Sequence, residues 1–495
     1  MRSNGVLMHI ASLPSPHGIG TMGKTARQFA DFLAEAGQHY WQLLPICPTG
    51  YGDSPYQSFS TNAGNPYFID LDELKNDGLL DAQDYENIDW EASEDDINYG
   101  ALYNKRYPVL RKAVAKFLEN PAQDYEDFCQ ENSFWLRDYA LFMALKSAHG
   151  GASWQQWDEQ YKNHDEAALS QAEITYRDEI DFWKGVQYLF FKQWHALSRY
   201  ANSKGIKIIG DLPIYVSLDG VDVWSHPELF QLDENKQPKE VAGCPPDGFS
   251  ADGQLWGNPL YDWEYHEKTN FEWWTKRISY LCSVYDVLRI DHFRGFDTYF
   301  AIPFGDTTAR NGVWKQGPGM KLFTAVENSI GKQPIIAEDL GYLTDSVKKL
   351  LADSTFPGMK VLEFAFDKRD ENSAEYLPWK YPNNSIAYIG THDNDTANGW
   401  MQTANPDDVK YATEFMHLTE EEGYNWGMMR TLWASGSDTT IVQFQDLLGL
   451  GSEARINTPS SVGKNWRWRA KQGSFNSELA QKLKSKMALY SRLGE

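Results

Sequence analysis

Four ionisable side chains, Arg289, Asp291, His292 and Arg294, crowd into one short apolar run, VLRIDHFRGF (287–296). A buried charge without a partner is expensive, so such groups either pair with one another or do chemistry. The strand period of two puts Arg289 and Asp291 on one face, where the guanidinium would keep the carboxyl ionised and able to attack carbon. A second run, PIIAEDLG (334–341), delivers Glu338. A low-dielectric pocket and a negative neighbour would raise the pKa of that glutamate, making it a proton donor. A carboxylate nucleophile facing a carboxylic acid is what a retaining glycosidic displacement needs, with the two groups about 5–5.5 Å apart. A third acid, Asp393, ends the run SIAYIGTHD (385–393) and could accept hydrogen bonds from sugar hydroxyls, while His392 beside it could donate to others. Each residue alone also has a plain reading, since an Asp at a strand end often caps the next helix. The conjunction points to catalysis. His9 and His39 are expected to satisfy core or loop hydrogen bonds. Asp393-Asn394-Asp395 lacks the regular oxygen ligands and distal Glu of a calcium-binding loop, so neither a metal nor a cofactor is expected.

Eight apolar runs, each ending in polar or charged residues, must position these groups: 6–12, 39–46, 206–214, 287–293, 334–341, 359–366, 385–393 and 440–449. Near-continuous apolar runs alternating with helical patterns indicate parallel βα units buried on both faces. Eight such units predict an α/β fold, a single (β/α)8 TIM barrel over 1–495, in which reactive groups sit at the C-terminal strand ends. Asp211, Asp291, Glu338 and Asp393 all fall there. The interval after the second strand is too long for one helix and predicts a largely helical insertion over 65–200. Within it, YPVLRKAVAKFLEN repeats apolar residues at helical spacing, while the acidic EASEDDI (91–97) reads as solvated surface. A second insertion, over 215–285 after the third strand, carries GCPPDGFSADGQLWGNPLY, whose Gly, Pro and aromatic content reads as an ordered active-site loop. Little chain remains after the eighth run, so no C-terminal β-domain is expected.

A formal charge of −23 and a pI near 4.9 argue against nucleic acid, which is bound by neutralising phosphates with Lys and Arg. The aromatic share of 14% suits a ligand with apolar faces and hydroxyl edges, although most of these rings are expected in the core. Cys47, Cys129, Cys244 and Cys282 are scattered and read as reduced and buried. Neither a cleavable leader nor an apolar stretch long enough to span a membrane is evident, so a cytoplasmic location is expected.

With these residues in view, the chain resembles the amylomaltases, the 4-α-glucanotransferases of the α-amylase clan. The likeness covers almost the whole length, through HIASLPSPHGIG, GYGDSPYQSFSTNAGNPYFID, IGDLPIYV, FSADGQLWGNPLY, RIDHFRGF, IAEDLG, FPGMKVLEFAF, GTHDNDT and ARINTPSSVGKNWRWR. It implies that Asp291 is the nucleophile, Glu338 the acid/base and Asp393 the transition-state stabiliser. It further implies that Ser54, Tyr56, Asp211, Arg289, His292 and His392 surround the bound sugar, and that Trp256, Asn258, Pro259 and Asn465 belong to lids over the glucan. The implied activity is transfer of α-1,4-glucan segments between maltooligosaccharides, with an α-glucan hydrolase of the same clan as the alternative. Gly248 stands where an aromatic is usual in the family, which bears on acceptor contacts. Oligomeric state is not legible.

Overall fold

The computed structural model describes residues 2–50, 52–246, 250–341 and 343–494. Gly248 lies outside the described residues. The described strands are, in chain order, β1 (Ser3–Leu7), β2 (Tyr40–Gln42), β3 (Lys207–Leu212), β4 (Glu240–Cys244), β5 (Gln254–Pro259), β6 (Val287–Ile290), β7 (Thr298–Pro303), β8 (Val313–Gln316), β9 (Ile335–Ala337), β10 (Gly358–Val361), β11 (Ser385–Tyr388) and β12 (Thr439–Gln443). Eight of them close a parallel barrel in the order β1-β12-β11-β10-β9-β6-β3-β2. All eight apolar runs therefore supply one barrel strand each, and the (β/α)8 fold is present. The barrel interior is filled by Leu7, Ile209, Ile336, Met359, Ile386, Tyr388 and Ile441. On β3 the alternate residues face outward, and Gly210 is there because the Tyr285 ring lies 2.2 Å from where a Cβ would stand.

The strands are shorter than the apolar runs that announced them. After β1, β6 and β10 the chain winds into 3-10 turns at Ile10–Ser12, Phe293–Phe296 and Leu362–Phe366. These turns are buried as well, so hydrophobicity continues past the strand end. The functional rim is built from them.

Between β2 and β3 the chain is mainly helical, with long helices at Tyr99–Glu119, Ser133–Ala148 and Arg177–Ser203. Asn98 caps the first, its side chain accepting from the Ala101 N–H. The last is tied to the segment GNPYFID by two buried glutamines. Gln187 exchanges both amide hydrogen bonds with the Gly64 backbone at 2.7 and 2.9 Å, and Gln193 does so with Asp70 at 2.7 and 3.1 Å.

Two local readings need correction, and a third gains a detail. The stretch 243–261 within the insertion over 215–285, read as an ordered loop, contains the end of β4 and all of β5, which join β7 and β8 in an antiparallel sheet of order β5-β4-β7-β8. Its strands are short, and the β4–β5 register shifts between Val241 and Gly243, so no alternating pattern survives in the sequence. The acidic stretch 91–97 is mostly exposed, as read, and it carries surface ion pairs as well. Asp96 pairs with Arg467 and Asp95 with Lys471 (3.2 Å), while the Gln472 N–H donates to Glu94 at 3.1 Å. The cysteines are free thiols but half-buried rather than buried. After β12 the described chain forms no further strand, and its last helix, Ser477–Leu489, packs on the helix Lys24–Glu35 that follows β1. Among the described residues no helix is long and apolar enough to cross a membrane.

Candidate active site

Strand register assembles the centre of the rim. Asp211 on β3 pairs in register with Arg289 on β6, so their side chains point the same way, and Leu212 pairs with Ile290. One residue beyond, the Asp291 N–H donates to the Leu212 carbonyl (2.9 Å) and the Glu338 N–H to the Ile290 carbonyl (2.9 Å). Asp291 and Glu338 thus leave adjacent strands at one level, above the Asp211–Arg289 layer. Arg289 is 3% exposed and spans both levels. Its Nη1 donates to both Asp211 oxygens at 2.7 and 2.6 Å, and its Nη2 lies 3.0 Å from Asp291 Oδ1. The period-two reading found the Arg289–Asp291 pair; the structure adds Asp211 as the deeper partner. The Tyr56 hydroxyl completes Asp211 by donating to Oδ2 at 2.7 Å.

The turn after β6 builds the cradle for the glutamate. His292 adopts the left-handed conformation (φ 51°), an uncommon state for a non-glycine residue. That geometry turns the His292 N–H onto Glu338 Oε2 (2.7 Å), and the Leu340 N–H reaches Oε1 (2.8 Å). Burial raises the Glu338 pKa to about 8, and the charge of Asp291 adds to the effect, against which Arg289 and the two N–H groups act. Burial also raises Asp291, to about 7, with Arg289 opposing it and Asp211 and Asp393 reinforcing it. One guanidinium facing Asp211, Asp291 and Glu338 leaves an excess of negative charge if all three ionise. Asp291 has the cation in contact, so the proton belongs on Glu338. Two influences oppose each other at Glu338: burial favours its acid form and the two N–H donors favour its base.

Asp393 lies five residues beyond β11, with its side chain 46% exposed. Its Oδ1 accepts from Asn457 Nδ2 at 2.6 Å and lies 3.4 Å from His392 Nε2. His392 stacks on Tyr56 (ring centroids 5.2 Å apart, 9° between planes), and Trp466 leans on both rings at 5.8 Å. The Trp256 ring stands edge-on to His292 at 4.9 Å. Burial lowers the pKa of His292 to about 3 and lowers that of His392, so both imidazoles are neutral. His292 Nε2 is buried with no hydrogen-bond partner among the described residues, as suits a group that waits for a ligand hydroxyl.

The remaining sequence-predicted residues take supporting positions. Ser54 Oγ accepts from the Tyr56 N–H at 3.2 Å and so shapes the turn that presents Tyr56. Asn258 is buried and occupied, accepting from Gln57 Nε2 (2.9 Å) and donating to the Val216 carbonyl (2.8 Å). Pro259 ends β5 opposite Val241 in the ladder. Asn465 makes its hydrogen bonds inside its own loop, with Thr458 and Ser461. Sequence reasoning missed Trp466, Asn457 and Gln57. Only Trp466 carried a signal, as an aromatic within NWRWR. Among the described residues no group of three or more His, Cys, Asp and Glu is placed to hold a metal ion.

A parallel barrel with a cation-bridged pair of aspartates, a half-buried glutamate and an aromatic wall at its C-terminal rim defines an enzyme of the (β/α)8 class with a carboxylate-based centre. The chain belongs to the 4-alpha-glucanotransferase family, which matches residues 8–474. It is 50% identical over 487 residues to a 4-alpha-glucanotransferase of Clostridium butyricum, covering 98% of this chain and 100% of that one. It is 40% identical over 504 residues to the chloroplastic/amyloplastic enzyme of Solanum tuberosum, covering 99% and 86% respectively. Among solved structures, the amylomaltase of Streptococcus agalactiae in complex with acarbose superposes with a TM-score of 0.97 at 45% identity, covering 99% of this chain and 100% of that one.

Proposed function

We propose that the protein moves α-1,4-glucan segments between maltooligosaccharides by retaining double displacement through a glycosyl ester on Asp291. Asp291 Oδ attacks the anomeric carbon while Glu338 passes its proton to the departing glycosidic oxygen. The glycosyl unit is then held on Asp291 while the released end leaves. In the second half Glu338, now a carboxylate, takes the proton from the 4-hydroxyl of an acceptor glucan, whose oxygen attacks the anomeric carbon and frees Asp291. Asp393 and the neutral His392 and His292 accept from and donate to the sugar hydroxyls.

The observation that carries this reading is the opposed environment of two half-buried carboxyls on one rim: Asp291 against a guanidinium at 3.0 Å, Glu338 on two backbone N–H groups with no cation in contact among the described residues. Trp256 against His292, and Trp466 against Tyr56 and His392, supply flat surfaces that position an acceptor sugar and displace water. The neighbour solved with acarbose supports an α-glucan ligand. The cytoplasm is the compartment that four free thiols favour.

Incubation with maltotriose tests the transfer. Glucose plus longer oligomers, with the number of reducing ends constant, is the expected outcome; a steady rise in reducing ends gives the hydrolase reading instead. Intact-mass analysis of Glu338→Gln after addition of α-maltosyl fluoride tests the ester. A maltosyl adduct mapped to Asp291 is expected, and an adduct elsewhere or none refutes the double displacement.

A further inference from the structure

We propose that Asn457 is a positioning residue that fixes the side chain of Asp393, so that seating the loop over 455–466 and completing the acidic trio are one event. The inference rests on the role given to Asp393 above.

Asp393 sits on a turn well beyond its strand, with a half-exposed side chain, so its own packing leaves the carboxylate free to rotate. Its backbone is fixed independently. Arg455 Nη2 donates to the Asp393 carbonyl at 2.6 Å, and Asn394 Oδ1 closes the turn by accepting from the Thr391 N–H and hydroxyl, both at 2.9 Å. Beneath that turn lies the buried Glu363 carboxyl, 3.1 Å from where a Cβ on Gly390 would stand. What remains to be set is the side-chain dihedral, and Asn457 sets it. Its Nδ2 grips Oδ1 at 2.6 Å, closer than His392 Nε2, which lies 3.4 Å from the same oxygen.

Asn457 is in turn locked to the same turn through its backbone. Its N–H donates to the His392 carbonyl at 3.1 Å, and its carbonyl accepts from Arg455 Nε at 2.8 Å. The loop that follows is closed by the Trp466 N–H on the Ile456 carbonyl (2.7 Å), and the Tyr99 hydroxyl holds the Trp466 carbonyl at 2.8 Å. Trp466 therefore cannot be withdrawn from Tyr56 and His392 without loading the segment that carries Asn457. A loop in place means an oriented Asp393; a displaced loop means an unoriented one.

The prediction for kinetics follows from when Asp393 matters. Its hydrogen bonds to the sugar strengthen as positive charge develops, so misorientation is felt in the transition state more than in binding. Asn457→Ala is expected to lower kcat about 10- to 100-fold, equivalent to about 1.4–2.7 kcal/mol, with KM within about twofold. Asn457→Asp keeps the shape but sets a second carboxylate against Oδ1, and is expected to be slower still. Thermal melting confirms that each variant is folded, the Asp variant serving if the Ala variant is not. The deciding measurement is a double-mutant cycle in maltotriose disproportionation. If Asn457 acts through Asp393, Asp393→Asn/Asn457→Ala is no slower than Asp393→Asn alone. Losses that multiply, or a change confined to KM, overturn the inference. Full activity of Asp393→Asn would instead remove the role of Asp393 itself, whereas a slow Asp393→Asn beside an unimpaired Asn457→Ala removes only the role of Asn457.

Discussion

Replacing Arg289 by lysine isolates what the guanidinium does for Asp291. A lysine keeps the positive charge but is a single point donor, so it cannot bridge two carboxylates as the planar fork does. It will settle on Asp211, whose side chain is 1% exposed, against 27% for Asp291. The cation then retreats from its 3.0 Å contact with Asp291. With an effective dielectric of about 20, moving a unit charge from about 3 to about 5 Å weakens the attraction by about 2 kcal/mol, or about 1.6 pKa units. The sign is fixed: less stabilisation of the anion raises the Asp291 pKa, so more of the nucleophile is protonated at any acidic pH. The acidic limb of kcat/KM for maltotriose should move to higher pH by about 1.5 units, with a smaller upward shift of the alkaline limb because Arg289 also lowers Glu338. Thermal unfolding measured in parallel separates this effect from collapse of the rim. A folded variant whose acidic limb stays in place would show that the contact does not govern ionisation of Asp291, and the division of labour between the two carboxyls would fall with it.

Asp291→Asn should abolish turnover yet stabilise the fold. The pKa of Asp291 is raised by folding, so its penalty is absent below about pH 4, grows as pH climbs, and is complete above about pH 7; denaturant titrations above neutrality should show the variant more stable by about 1–3 kcal/mol, with the difference vanishing in acid. Tyr56→Phe removes the hydroxyl on Asp211 but keeps the ring on His392. A loss of about 1–2 kcal/mol in denaturant unfolding is expected, because a buried charged acceptor loses one donor while Arg289 retains both of its oxygens.

The barrel was legible because parallel strands covered on both faces must be apolar throughout, and such runs stand out in a hydrophilic chain. Their ends were not legible, since the 3-10 turns at Ile10–Ser12 and Phe293–Phe296 are as buried as the strands they extend. The small sheet escaped notice for the opposite reason. β4 and β5 lie close in sequence, but their partners β7 and β8 come from beyond β6, and a register shift with glycine at Gly243 breaks the alternation that would announce a strand. The acidic stretch at 91–97 is solvated as read, but its ion pairs were not legible because Arg467 and Lys471 stand far along the chain, and charge runs carry no mark of the distance at which they pair.

The same physics divides the site. Asp211, Arg289, Asp291 and Glu338 were readable because ionisable groups in buried strands have no packing explanation, and period two with parallel register says which of them face each other. Asn457, Gln57 and Trp466 lie on loops, where polar and aromatic residues need no explanation, and what they touch depends on how two insertions and a late segment fold back over the rim. Barrel register therefore fixes the reacting carboxyls, whereas the loops fix what surrounds them: Tyr56 and Gln57 from the segment after β2, Trp256 from β5, Asn457 and Trp466 from the chain beyond β12. That separation has a mechanistic consequence. On the proposed mechanism, Arg289 and the two N–H groups of His292 and Leu340 act on the Asp291 and Glu338 carboxyls from the barrel rim, while Asp393, whose charge also raises Asp291, is held from the late loop by Asn457.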